Sequence, residues 1–210
     1  FIPIAESSGL IVDIGDWVFQ QAARQVQHWR HILSPQFQIS VNKSPVQFHH
    51  DGAGRTPWAL LLAERGLSGD CIVVEITEGL LLNTSANVAN TLLALRDAGI
   101  RVSLDDFGTG YSSLSYLQKF DIDLIKIDQT FVRNLSAGST DLALCKAIIV
   151  MAHALGMQVI AEGVETAQQR DLLASVGCDF VQGYLYARPM PAADFEVFMA
   201  NYTPSAASGR

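Results

Sequence analysis

Short apolar runs alternate along the chain with longer stretches whose apolar residues recur at helical spacing. Residues 13–32 place Trp17, Val18, Ala22, Val26 and Trp29 in the pattern of an amphipathic helix. A β-rich run follows at 37–42. Thr56 and Pro57 read as an N-cap and a first helical residue, opening a helix that reaches Gly66. Residues 71–77 read as a strand and 85–98 as a helix stopped by Gly99. A strand at 101–106 leads through a turn into a short helix ending near Phe120. A strand at 123–128 precedes a helix at 140–155 closed by Gly156. A strand at 158–162 precedes a helix at 166–176 closed by Gly177. The last pair is a strand at 179–184 and a helix at 192–199. No internal linker interrupts the series, so residues 1–201 read as one domain and 202–210, rich in Ser, Ala and Pro, as a disordered tail.

Strands alternating with helices imply a parallel sheet covered by helices. A doubly wound sheet and a (β/α)₈ barrel both fit. A barrel needs eight strands, so under that reading the first two are absent and belong before Phe1. The chain also starts without Met, and is read as part of something longer.

Polar residues cluster at the carboxyl ends of the predicted strands: Asn42, Glu75, the doublet Asp105 and Asp106, Lys126, Glu162 and Gln182. Active sites of parallel α/β folds form at those ends. Each residue alone has an ordinary explanation. Asn42 suits a turn, Glu75 suits a solvent-facing edge, and Lys126 could pair with Asp123 or Asp128 on the surface. Together they suggest a shared partner. Adjacent carboxylates repel, and one pKa rises unless a cation lies between them. Oxygen donors at Asn42, Glu75, Asp105, Asp106 and Glu162 suit Mg²⁺ or Mn²⁺. A doublet can serve two ions, and two ions about 3.5–4 Å apart suit in-line attack on a phosphodiester. Lys126 would then hold the attacking water or stabilise phosphoryl charge. The turn Gly108-Thr109-Gly110 either simply makes a turn before a capped helix or is a mobile loop that positions the aspartates.

Composition narrows the picture. A net charge of −7 excludes a surface that attracts duplex nucleic acid or anionic lipid, so an anionic substrate depends on metal charge. Cys71, Cys145 and Cys178 form no close pair, which favours a reducing cytoplasm over a disulfide framework. The apolar runs are too short for a membrane span. His28, His31, His49, His50 and His153 lie away from the strand ends, and the Met and Trp residues read as core. No zinc spacing, phosphate loop or serine elbow is present.

The segments Phe1–Glu6, Val41–Ser44, Glu75–Glu78, Asp105–Leu114, Lys126–Asp128, Ala161–Glu165 and Gln182–Tyr184 resemble the EAL domain, the cyclic di-GMP phosphodiesterase family. The resemblance covers Phe1 to about Phe198. It implies a modified (β/α)₈ TIM-like barrel that hydrolyses cyclic di-GMP to linear pGpG with two Mg²⁺ or Mn²⁺ ions. It assigns one ion to Asn42, Glu75 and Asp105 and the other to Asp105, Asp106 and Glu162. Lys126 would contact the catalytic water, Glu78 would anchor the loop after Asp106, and Glu165 and Gln182 would complete the site. It further implies a homodimer and upstream sensory or GGDEF domains. The Glu-Ala-Leu segment that names the family lies before Phe1, and its Glu is a metal ligand there. Lys43 and Pro45 depart from the family pattern, which more often shows Leu and Ala. A non-catalytic cyclic di-GMP receptor is the alternative, decided by the upstream Glu position. Enolase-type proton abstraction around one ion is a third reading, which the doublet fits less well.

Overall fold

The computed structural model describes residues 1–50, 56–82, 86–110, 117 and 120–202. In chain order the helices and strands are α1 (Ile2–Ser8), α2 (Leu10–Ile32), β1 (Ile39–Asn42), α3 (Pro45–His50), α4 (Trp58–Glu64), β2 (Ile72–Thr77), α5 (Glu78–Leu82), α6 (Ala86–Asp97) and β3 (Arg101–Phe107). They continue with β4 (Leu124–Ile127), α7 (Gln129–Val132), α8 (Thr140–Ala154), β5 (Gln158–Ala161), α9 (Ala167–Ser175), β6 (Phe180–Val181) and α10 (Ala192–Asn201). Most of the short helix expected before Phe120, and tail residues 203–210, lie outside the described residues.

All six strands are parallel and neighbour one another in sequence order, β1 to β6. A doubly wound sheet reverses its order at a switch point. This one never does, so the chain winds one way and the sheet is a curled arc of a barrel. Strand residues alternate between faces. Val41, Ile72, Val74, Ile76, Val102, Leu104, Ile125, Ile127, Val159 and Ala161 are buried and join one apolar core with the covering helices. The opposite face carries the polar set. Asn42 pairs in register with Glu75, and Glu75 with Ser103.

Several boundaries differ from expectation for local reasons. Gly9 adopts φ 78°, a left-handed conformation that breaks the chain between α1 and α2. The second helix therefore starts before residue 13, and α1 was not foreseen. Its buried stripe is Ile11, Gly15, Phe19, Ala23 and Val26. Trp17 lies about 200° around the helix from Gly15 at ~100° per residue, and is 61% exposed. The expectation that Trp17 is core is thus corrected. Pro57 itself is the N-cap residue of α4, without a side-chain cap bond, so Thr56 does not cap it. The last strand is cut to Phe180–Val181 because the chain turns away at Gly183.

Aspartates clamp the amino-terminal edge of the sheet. Val102 N donates to Asp123 Oδ2 at 2.7 Å, and Val159 N to Asp179 Oδ2 at 2.8 Å. His153 Nε2 lies 2.8 Å from the same Asp179 oxygen. These bonds fix strand starts far from the polar cluster. Asp179→Ala is expected to lower the urea midpoint with an unchanged slope, at a cost of about 1–3 kcal/mol.

Candidate active site

Glu75 arrives on β2, Asp105 and Asp106 on β3, Lys126 on β4, and Glu162 immediately after β5. Glu162 is fixed there because its backbone N donates to Ile127 O at 3.0 Å. The Lys126 ammonium lies 3.0 Å from Glu75 Oε2, 3.0 Å from Asp105 Oδ1 and 2.7 Å from Glu162 Oε1. Lys126 is 4% exposed and Glu75 7%. This excludes both the surface-pair explanation of Lys126 and the solvent-edge explanation of Glu75. Burial alone would push the Lys126 pKa down. The Glu75 charge, the bond to Glu162 and the Asp105 charge overcome it, and the net shift is upward. Burial raises the Glu162 pKa against the opposing pull of Lys126. Asp106 is also raised, first by burial and then by Asp105 and Asp128. The cation that the doublet required is, in this structure, Lys126.

Adjacent residues on a regular strand point to opposite faces, so Asp105 and Asp106 should not share a site. The β3–β4 register shifts between Leu104 and Phe107, and Asp106 takes φ 55°. A bulge re-aims side chains, and here it brings both carboxylates round to Glu162. One carboxylate oxygen from each of Asp105, Asp106 and Glu162 lies within 4.8 Å of the others. Left-handed backbone at a non-glycine residue is uncommon and costs energy. Such strain concentrates at functional sites. Asp106 N donates to Asp105 Oδ1 at 3.0 Å, which helps hold the bend.

The turn after the doublet rests on Glu78, the first residue of α5. Gly108 N donates to Glu78 Oε2 at 3.4 Å, and Thr109 Oγ1 to Asp106 O at 2.9 Å. A Cβ at Gly110 would lie only 3.1 Å from Glu78 Oε1, so this glycine lets the carboxylate close up to the turn. Glu78 is buried at 8% exposure.

Asn42, Glu165 and Gln182 stand exposed at the same strand ends. Asn42 is the cross-strand neighbour of Glu75. Glu165 N donates to Gln169 Oε1, while Gln182 O accepts from Val164 N at 3.0 Å. The structure therefore joins Glu75, Asp105, Asp106, Lys126 and Glu162 directly, and leaves Asn42, Glu165 and Gln182 at the rim. His153 sits with Asp179 and His28 beside Glu196, away from the cluster as expected.

Two neighbours of the site were not singled out in the sequence. Ser103 is fully buried on the site's face, next to Glu75 in register. Its two-residue spacing from Asp105 was the available signal. Gly183 allows a close backbone approach, since a Cβ there would fall 2.2 Å from Val164 O and 2.4 Å from Val164 N. That contact fixes the segment following Glu162, and nothing in local sequence announces it.

An oxygen-only donor set of three convergent carboxylates suits hard divalent cations. A curled parallel sheet with such a set at its carboxyl edge defines an α/β-barrel domain with an acidic site fitted for metal. The chain belongs to the EAL domain family, whose pattern matches residues 1–189. The cyclic di-GMP phosphodiesterase PdeR of Escherichia coli (strain K12) is 42% identical over 202 residues, covering 96% of this chain and 30% of PdeR. Among solved structures, the PaMucR phosphodiesterase in complex with c-di-GMP aligns with TM-score 0.84 at 37% identity, covering 93% of this chain and 84% of that one. The manganese/cyclic-diGMP complex of Klebsiella pneumoniae BlrP1 aligns with TM-score 0.72 at 32% identity, covering 85% of this chain and 44% of that one. The chain spans between a quarter and a third of the length of the first curated relatives it matches, 29%, 25% and 28%.

Two outcomes follow from this geometry. Lys126→Met leaves three carboxylates without their counter-charge in the metal-free protein. Lys126 contributes fully at every pH below the ordinary lysine pKa of about 10.4 and is lost only above its raised folded value. The variant is therefore expected to lose stability relative to the parent as pH rises above the ordinary glutamate pKa of about 4.3, where Glu162, whose pKa burial raises, ionises without its partner. Urea titrations across that range, without metal, read the effect. Gly183→Ala is expected to weaken Mn²⁺ binding at least several-fold in a folded protein, because the displaced Val164 segment carries Glu162 with it. Calorimetric titration measures it.

Proposed function

We propose that this domain hydrolyses cyclic di-GMP to linear pGpG with two Mg²⁺ or Mn²⁺ ions. The observation that carries the proposal is the convergence of Asp105, Asp106 and Glu162 around the buried Lys126. Family membership and relatives named as phosphodiesterases support it. Asn42, Glu75 and Asp105 would hold one ion, and Asp105, Asp106 and Glu162 the other. When bound, the ions supply a Lewis acid for the phosphoryl oxygens and lower the pKa of the attacking water. Lys126 lies between the two ligand sets and is placed to orient that water and to offset charge on the phosphoryl group. Its ammonium already donates to Glu75 Oε2 at 3.0 Å, which is the hydrogen-bonding role proposed for it. Glu78 holds the turn at 108–110, and with it the bend at Asp106. Glu165 and Gln182 would meet substrate at the rim.

In the same proposal the domain is the output module of a longer cytoplasmic signalling protein, with sensory or GGDEF domains upstream and a homodimer as the working form. No helix among the described residues is long and apolar enough to cross a membrane.

The test uses the domain within the protein that carries it, supplied with cyclic di-GMP and Mg²⁺ or Mn²⁺. Chromatography should show pGpG, a chelator should abolish it, and added Mn²⁺ should restore it. Asp106→Asn and Lys126→Ala should each lower kcat at least ~100-fold, in line with loss of a positioned electrostatic or proton-handling group. A folded, metal-loaded protein that yields no pGpG would sink the proposal.

A further inference from the structure

Ser44 lies two residues beyond Asn42, where the chain leaves β1 and turns into α3. Its hydroxyl oxygen accepts from Val46 N at 3.2 Å, and its backbone N donates to Gln47 Oε1 at 3.0 Å, so the two side chains cap α3. A cap needs only an acceptor oxygen, and Asp or Asn would serve it equally well. Serine adds one proton to give. That proton goes to α1: Ser44 Oγ donates to Glu6 Oε1 at 2.7 Å, across 38 residues of sequence. Both side chains are half-buried. The length is that of a hydroxyl bonded to a carboxylate, which is stronger than a bond between neutral groups.

The bond meets the chain just past a candidate metal ligand. Lys43 N donates to Glu75 O at 2.9 Å and carries the β1–β2 ladder one residue beyond Asn42. Ser44 comes next, and Glu6 holds it from the side away from β2. The backbone leaving Asn42 is thus gripped by two elements, β2 and α1. The α1 helix is itself anchored, because Ala5 packs with Ile11 and Val12 of α2 and Val46 of α3 in an apolar cluster apart from the main core. Apolar packing is non-directional and keeps α1 in place without Glu6. The hydrogen bond has a direction, and it acts on one residue of the loop. Loss of Glu6 therefore loosens the end of β1 while leaving the fold intact.

We propose that Glu6 is a positioning residue for the metal site, acting through Ser44 to fix the end of β1 and with it the side chain of Asn42. The inference rests on the reading of Asn42 as a ligand of one ion. The test is calorimetric titration of Mn²⁺, without substrate, into the protein that carries the domain. Asn42→Ala marks the binding event to which Asn42 contributes. Glu6→Ala should weaken that same event by at least ~10-fold, as loss of an outer partner does, and leave the other event unchanged. Glu6→Gln keeps Oε1 as an acceptor and should restore binding, a rescue that bulk destabilisation would not give. Ser44→Ala breaks the same bond from its other side and should weaken the event as Glu6→Ala does. It carries the test if Glu6→Ala does not fold. In the Ser44→Ala background Glu6→Ala should add nothing, since the two act through one bond. A folded Glu6→Ala or Ser44→Ala protein that binds Mn²⁺ as the parent does overturns the proposal. So does a Glu6→Gln protein as weak as Glu6→Ala. If Asn42→Ala leaves every binding event unchanged, the reading of Asn42 as a ligand fails and the proposal falls with it. None of these measurements depends on phosphodiesterase activity.

Discussion

Carboxylates from three separate strands meet at one buried ammonium, and this constraint governs the carboxyl edge of the sheet. Glu75, Asp105 and Glu162 would repel one another in a low-dielectric site without positive charge between them. Lys126 supplies that charge in the metal-free protein. Its position requires β4 to sit between β3 and β5, and so depends on the one-way winding of the chain. Removing one partner of a buried charge cluster leaves the others uncompensated. The cluster therefore ties strand order and electrostatics together.

The supporting contacts act on backbone rather than on charge. The bulge at Asp105–Asp106, the Glu78 prop beneath the turn, and the close approach of Gly183 to Val164 each set where a carboxylate stands. Each works because a packed, hydrogen-bonded segment transmits small displacements instead of absorbing them. At the opposite edge Asp123 and Asp179 hold the strand starts. Stability and chemistry are thereby separated along the same strands, the usual division in barrel folds.

The strands and long helices were legible because their apolar periods are clean. Strands β2 to β5 lie where alternation and continuous apolar runs put them. The short helices α1, α3 and α5 were not, since a helix of one or two turns leaves too few residues to show a period. Trp17 misled because bulk suggested core while the helical phase set by Gly15 and Phe19 pointed it outward. At the site, residue types at strand ends singled out Glu75, Asp105, Asp106, Lys126 and Glu162, which the structure brings together. The means of uniting the doublet was hidden, because a bulge is a property of pairing between strands and leaves no mark on one strand alone. The close approach at Gly183 was hidden for the same reason.

Strand order also has a temporal meaning. The candidate ligands appear along the chain in the order Asn42, Glu75, Asp105, Asp106 and Glu162, and the strands that carry them lie side by side in that same order. A chain leaving the ribosome can pair each strand with the one before it, so contacts between neighbours form early. The carboxylate cluster closes only after Glu162 emerges, and until then Lys126 lacks its closest partner. The convergence of Asp105, Asp106 and Glu162 is thus deferred until β5 is in place. An ion held there would report that most of the domain had already been built correctly.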